Sequence, residues 1–291
     1  MGLLSPKYTI FMDYNTMSQN PLLKYVRQPG IYWEMPSQGQ WWPAGSLEPN
    51  TTGELPVLPM NTRDEILLKT PDALLNGSAL VELFQSCIPN IKNAWEMPSV
   101  DIDSALIAIK IASTGEFMPL ESGCPECKED SDYDVDLRDL LAKVKCPHYV
   151  PFEFKQLTFQ LKPQSYREMN KNSQMRFVEQ SIQRALRDAE LSDEERRQII
   201  SDQVEKLEEF NCELLTSSTS YIATPDGECV TDIEQIKEFY RTAEASILRR
   251  VKQELNDYSD SAGFGPMTLK CHHCEFEYKR ELVFNYSDFF E

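Results

Sequence analysis

Two Cys-x-x-Cys pairs constrain this chain more than any other feature: Cys124-Pro125-Glu126-Cys127 and Cys271-His272-His273-Cys274, with 143 residues between Cys127 and Cys271. Two thiols on one tight turn face a single ion and supply half of a tetrahedral site, and two such turns complete a four-cysteine site. After the first pair, Tyr133, Val135 and Leu137 alternate with acidic residues; after the second come Phe276 and Tyr278, then Leu282 and Phe284. A turn plus a strand at each end predicts a split zinc ribbon, with everything between the halves as an insertion. Closing so long a loop costs little more than closing one of half the length, because loop entropy grows only with the logarithm of length. Cys124, Cys127, Cys271 and Cys274 are therefore the candidate ligands of one Zn2+. Four thiolates leave no open coordination position, so the metal would be structural.

Other chemistries are weaker. Cys146 and His148 follow Cys127 at a spacing that would let them replace one pair in a local site. A Cys-x-His on a strand, however, points its two side chains to opposite faces. A redox pair needs a thiolate at a helix N-terminus in a thioredoxin-like βαβ setting, which neither pair has. His272 and His273 read as bystanders inside the knuckle, and Cys87, Cys146, Cys212 and Cys229 as small buried hydrophobes. Asp130, Asp132, Asp134 and Asp136 imitate a calcium loop, but Val135 stands where that loop needs Gly and Leu141 where it needs Glu. There is no Gly-rich phosphate loop, no Gly-x-Ser-x-Gly and no His-Glu-x-x-His. With three histidines in the chain, acid–base candidates are few. Nothing argues for an enzyme or a small-molecule substrate.

Charge narrows the partners. Lys+Arg is 29 and Asp+Glu is 47 in 291 residues, a formal charge of −18. Such a surface repels phosphate backbones and anionic membranes alike. A zinc-ribbon protein of the nucleic-acid-binding, transcription-related kind is the alternative, and it would need basic residues gathered on one face. No apolar run is long enough to span a bilayer. Met1 to Pro6 shows neither a secretory leader nor a myristoylation motif. Unpaired thiols suit a reducing compartment.

Patterning divides the chain into four segments and predicts an α+β fold, a body of short strands and helices. Residues 1–60 hold eight of the 18 prolines and three of the four tryptophans, Trp33, Trp41 and Trp42. That density excludes long helices and leaves short strands such as Ile31-Tyr32-Trp33, packed on the body or presented to a partner. Residues 61–165 form a helical core plus the first knuckle. Thr62 and Glu65 read as a capping box, Leu80, Leu83, Phe84 and Cys87 recur at helical spacing, and Ser99 is the candidate N-cap of an apolar helix ended by Gly115. Residues 166–215 read as a charged helical hairpin inserted into the body, broken near Leu191-Ser192. Residues 216–291 open with a loop at 217–220 and a strand at Tyr221-Ile222-Ala223-Thr224. A single helix follows from the Thr231/Glu234 capping box to about Tyr258, then the second knuckle.

An ordered series of segments covers most of the chain. It runs through Asn20-Pro21-Leu22-Leu23-Lys24, Arg27-Gln28-Pro29, Met35-Pro36-Ser37-Gln38-Gly39, Gly53-Glu54-Leu55-Pro56-Val57 and Lys69-Thr70-Pro71-Asp72-Ala73-Leu74-Leu75-Asn76-Gly77. It continues with Asp101-Ile102-Asp103, the first knuckle, Tyr221 to Gly227, Val230-Thr231-Asp232, the second knuckle and Phe289-Phe290. In this order the series resembles the baseplate hub proteins of T-even-type contractile-tailed phages. The resemblance implies a hub component or hub assembly factor that works by contacts with other phage baseplate hub proteins. It places the chain in the virion tail baseplate, or in the host cytoplasm during assembly. It also implies paired Cys half-sites for zinc. The aromatic N-terminal segment and Phe289-Phe290 are the candidate contact surfaces.

Overall fold

In the computed structural model, Leu22 and residues 26–282 are described, apart from 71, 74–75, 174, 176–179, 181–205 and 207. The charged hairpin predicted over 166–215 falls largely outside them, as do Phe289 and Phe290; helical residues 166–173 and 208–217 flank the gap. No helix among the described residues is long and apolar enough to cross a membrane.

The architecture is α+β, with short antiparallel sheets and helices around two hydrophobic cores. The first core begins with the hairpin of β1 (Ile31–Glu34) and β2 (Glu54–Val57). Alternation sends Trp33, Leu55 and Val57 inward and leaves Tyr32, Glu34 and Glu54 outside. The hairpin packs on α3 (Ser99–Thr114), whose residues from Asp101 to Ile111 are buried except Asp103. Trp33 is fully buried, and its indole N–H donates to Ser104 Oγ at 3.2 Å. Burying a side chain of that size contributes about 3 kcal/mol, and the bond spares the indole an unmet donor. So of the three N-terminal tryptophans, Trp33 is a core anchor, while Trp41 and Trp42 are partly exposed.

α1 (Thr62–Leu68) and α2 (Ser78–Cys87) close the same core, α2 through Leu80, Leu83, Phe84 and Cys87, as their spacing predicts. The cap of α1 lies one residue before the predicted one. Asn61 accepts from the amides of Arg63 and Asp64, and Asp64 reaches back to the Asn61 amide. Asn caps as well as Thr, and the Asp64 oxygen that completes the box also meets Arg27 at 3.3 Å. Ser99 is likewise the first helical residue and not the cap, which is Pro98.

After α3 come β3 (Phe117–Gly123), β4 (Asp130–Asp136) and α4 (Leu137–Lys143). Leu137 opens α4 instead of extending the strand, because the Asp136 side chain caps the helix through the amides of Arg138 and Asp139. The chain then leaves for a second core, built on the sheet β5 (Phe152–Phe154), β6 (Leu157–Leu161), β7 (Thr219–Ala223), β8 (Cys229–Val230). Helices α5 (Ile233–Thr242) and α6 (Ala245–Ser261) cover it with Ile236, Tyr240, Ile247 and Val251. The one long helix predicted here is two. Ala243 and Glu244 are both extended, and the Glu244 carboxylate leaves the helix line to pair with Lys155. No Gly or Pro marks this break. The predicted loop at 217–220 is also corrected: helix runs to 217, and Thr219 and Ser220 already belong to β7.

The second core is tied to the first at its base. Lys145 and Gly263 exchange backbone bonds of 2.8 and 3.1 Å, so the segment leaving α4 and the segment leaving α6 lie side by side. A ring relay reinforces the junction, with Trp41 against Tyr149 at 5.2 Å and Tyr149 against Tyr258 at 4.5 Å. The chain thus returns to its point of departure, and β9 (Met267–Lys270) and β10 (Glu277–Arg280) fall beside β3 and β4.

Candidate metal centre

Each Cys pair sits in the turn of its own hairpin, and the two turns have the same construction. In the first, the Cys124 amide donates to Glu129 O at 3.0 Å and the Lys128 amide to Cys124 O at 3.0 Å. In the second, Cys271 N donates to Phe276 O at 2.9 Å and Glu275 N to Cys271 O at 3.0 Å. The residue after the second cysteine is left-handed in both, Lys128 at φ 64° and Glu275 at φ 60°. Strand registers match as well: Gly123 faces Asp130 in one hairpin as Lys270 faces Glu277 in the other. The halves of the ribbon are therefore structural repeats of one another, although outside the cysteines their sequences differ.

The hairpins bring Cys124, Cys127, Cys271 and Cys274 together, with all four Sγ atoms within 4.8 Å of one another. Cys124 and Cys274 are 3.6 Å apart at sulfur, as are Cys127 and Cys271. A disulfide would put these atoms at about 2.05 Å. With Zn–S bonds of about 2.3 Å, a tetrahedron has S···S edges of about 3.8 Å, so the four thiols are spaced for zinc. Cys124 and Cys271 are buried, Cys127 is half-buried and Cys274 exposed. The His273 amide also donates to Cys271 Sγ at 3.4 Å, a contact that suits a thiolate. The donor set fits a closed zinc site of four cysteines, in which the ion would bind the two hairpins together and present no position to a substrate.

The hairpins are further joined by hydroxyl contacts that spacing alone did not reveal. Tyr133 donates to Lys270 O at 3.1 Å, and its oxygen lies 3.4 Å from that of Tyr278. Tyr278 and Arg280 both donate to the buried Ser122 Oγ, at 3.0 and 2.9 Å. Tyr133 and Tyr278 were legible as alternating strand residues; that they meet depends on the return of the chain at Gly263.

The remaining candidates fall outside the cluster. Cys146 is half-buried and His148 exposed, and neither joins a group of metal-ligating atoms among the described residues. Burial, and then the charge of Asp101, push the Cys146 thiol up. Cys87 and Cys212 are buried as expected, but Cys146 is only half-buried and Cys229 is exposed on the two-residue edge strand β8, too short to cover it. His272 lies against the Tyr133 ring at 4.9 Å, and His273 offers its amide to Cys271 and its ring nitrogen to Asp130 O, so neither imidazole faces the thiols.

No curated protein and no solved structure matches the chain. The family model for the T4 bacteriophage base plate protein matches residues 47–291, a stretch that contains both knuckles and both halves of the ribbon, and the chain belongs to that family.

Proposed function

We propose that this chain is a component or assembly factor of the baseplate hub, acting by contacts with other hub proteins, and that Cys124, Cys127, Cys271 and Cys274 hold one structural Zn2+. The observation that carries the reading is that the family match, over residues 47–291, spans both Cys half-sites. A chain whose halves are separated by an insertion with its own core gains rigidity from an ion that ties them, and rigidity is what a docking subunit needs. No catalytic residue is assigned. The four-segment division, 1–60, 61–165, 166–215 and 216–291, belongs to the same proposal. So do the site of action, in the tail baseplate or in the host cytoplasm during assembly, and the absence of nucleic-acid partners from a chain of charge −18.

Quantitative mass spectrometry of purified phage particles and of baseplate intermediates from infected cells tests the role. Fixed stoichiometry with hub proteins in particles identifies a component; presence in intermediates alone identifies an assembly factor. Absence from both refutes the proposal. Elemental analysis of the purified chain should return one zinc per molecule.

A further inference from the structure

The outward face of the β1–β2 hairpin looks across an open cleft of about 480 Å3 toward α4. Met35 and Leu141 give it an apolar floor, and Tyr32, 59% exposed as a residue, lines it. Two further lining residues, Glu34 and Glu54, are directly opposed in the hairpin register. Like charges in that position repel, so the arrangement costs stability. Among the described residues neither carboxylate has an ion-pair partner. Arg138, which lines the opposite wall, is already bound to Glu116 at 2.7 Å.

We propose that this cleft docks a basic segment of a neighbouring baseplate protein, with an arginine or lysine of the partner seated between Glu34 and Glu54. The inference rests on the proposed function for the identity of the partner. The cleft itself supplies the chemistry. A long cationic side chain has an apolar stem, which suits the Met35–Leu141 floor, and a charged head, which suits the opposed carboxylates. A guanidinium or ammonium over the Tyr32 ring gains a cation–π contact. Neutralising the pair also removes a repulsion that the free protein carries. The charge of −18 steers a basic partner toward the chain from a distance and turns an acidic one away.

The test uses the full chain in infected cells, with the photo-crosslinking residue p-benzoylphenylalanine at Gln38, which is exposed and lines the cleft. The expected product is a crosslink to an Arg- or Lys-bearing segment of another baseplate protein. Its yield should fall at least tenfold in the Glu34→Gln/Glu54→Gln variant, which removes charge and keeps size. That variant should melt no lower than the parent, since it relieves repulsion. In parallel, the purified chain is titrated with the peptide acetyl-Leu-Arg-Leu-Arg-amide and its Leu-Glu-Leu-Glu counterpart. Saturable binding of the basic peptide alone, weakened at least tenfold by the double variant, supports the cleft's preference. The proposal is overturned by a crosslink that keeps its yield in the variant or lands on an acidic segment, or by absence of saturation with the basic peptide. It is equally overturned if no crosslink forms while the chain is present in baseplate intermediates. A chain absent from those intermediates that still binds the basic peptide refutes the hub reading and leaves the cleft's chemistry standing.

Discussion

Ser37 gives Asp101 two hydrogen bonds at once, its amide to Oδ1 at 2.8 Å and its hydroxyl to Oδ2 at 2.6 Å, and thereby fixes the turn after β1 to the first turn of α3. Trp42 adds its indole N–H to Oδ2 at 2.9 Å. Burial outweighs these donors and raises the Asp101 carboxyl from its usual 3.8 to about 6. A carboxyl whose pKa rises on folding contributes stability that is full below its unfolded value and is lost as pH climbs through the folded one. The Asp101→Asn variant, which cannot titrate, should isolate this contribution. Urea unfolding at pH 4 to 7 should show the stability of the parent relative to the variant falling by about 2 kcal/mol across that window. A pH-independent difference would refute the assignment.

Arg27 holds together a second buried network. Its guanidinium donates to Pro59 O at 2.8 Å, Ser86 Oγ at 3.0 Å and Asp64 Oδ2 at 3.3 Å. Arg27→Ala leaves the Asp64 charge buried without its cation and should cost about 3 kcal/mol in a denaturant melt. In the same network, burial and then the charge of Asp64 push the Cys87 thiol up to about 12. Iodoacetamide should therefore label exposed Cys229 in the native protein and reach Cys87 only on unfolding.

Gly30 allows β1 to lie against α3. A Cβ placed there would stand 2.8 Å from Ala112 Cα and 3.0 Å from its Cβ, and the nearest atom is backbone that cannot swing aside. Gly30→Ala should cost about 2 kcal/mol, and Ala112→Gly in the same chain should recover part of it in thermal melts. If the single substitution melts like the parent, the hairpin is less closely seated than the structure shows.

Removal of metal should act on both ends of the chain. Cys124→Ser or Cys274→Ser should lose bound zinc and about 5 kcal/mol or more, lowering the melting midpoint by roughly 10 °C or more. Strong chelators should do the same to the parent and expose the β9–β10 hairpin to protease. Full zinc content with an unchanged melt in either variant would show that the four thiols are not one site.

Most of the centre was legible because thiol pairs are rare and their turn is local: two residues between cysteines suffice to specify a half-site. Trp33 and the apolar residues of α3 were legible for a similar reason, since hydrophobic period reports burial within one element. Misreadings fall where tertiary contacts meet the chain: the break at Ala243–Glu244 coincides with the Glu244–Lys155 pair, and the cap at Asn61 shares Asp64 with Arg27. The opposed glutamates of the cleft were invisible for a third reason. Glu34 and Glu54 are twenty residues apart in sequence, and only the hairpin register makes them neighbours.

The repeat relation between the knuckles has a thermodynamic consequence. Each half brings two thiols, so neither chelates strongly alone, and the effective concentration of one half at the other is set by the fold between them. The pairing of Lys145 with Gly263 holds that concentration high. In the proposed zinc site, metal affinity and integrity of the inserted sheet and helices would then be reciprocally linked. A substitution in the second core, remote from every sulfur, should register as weaker retention of the ion.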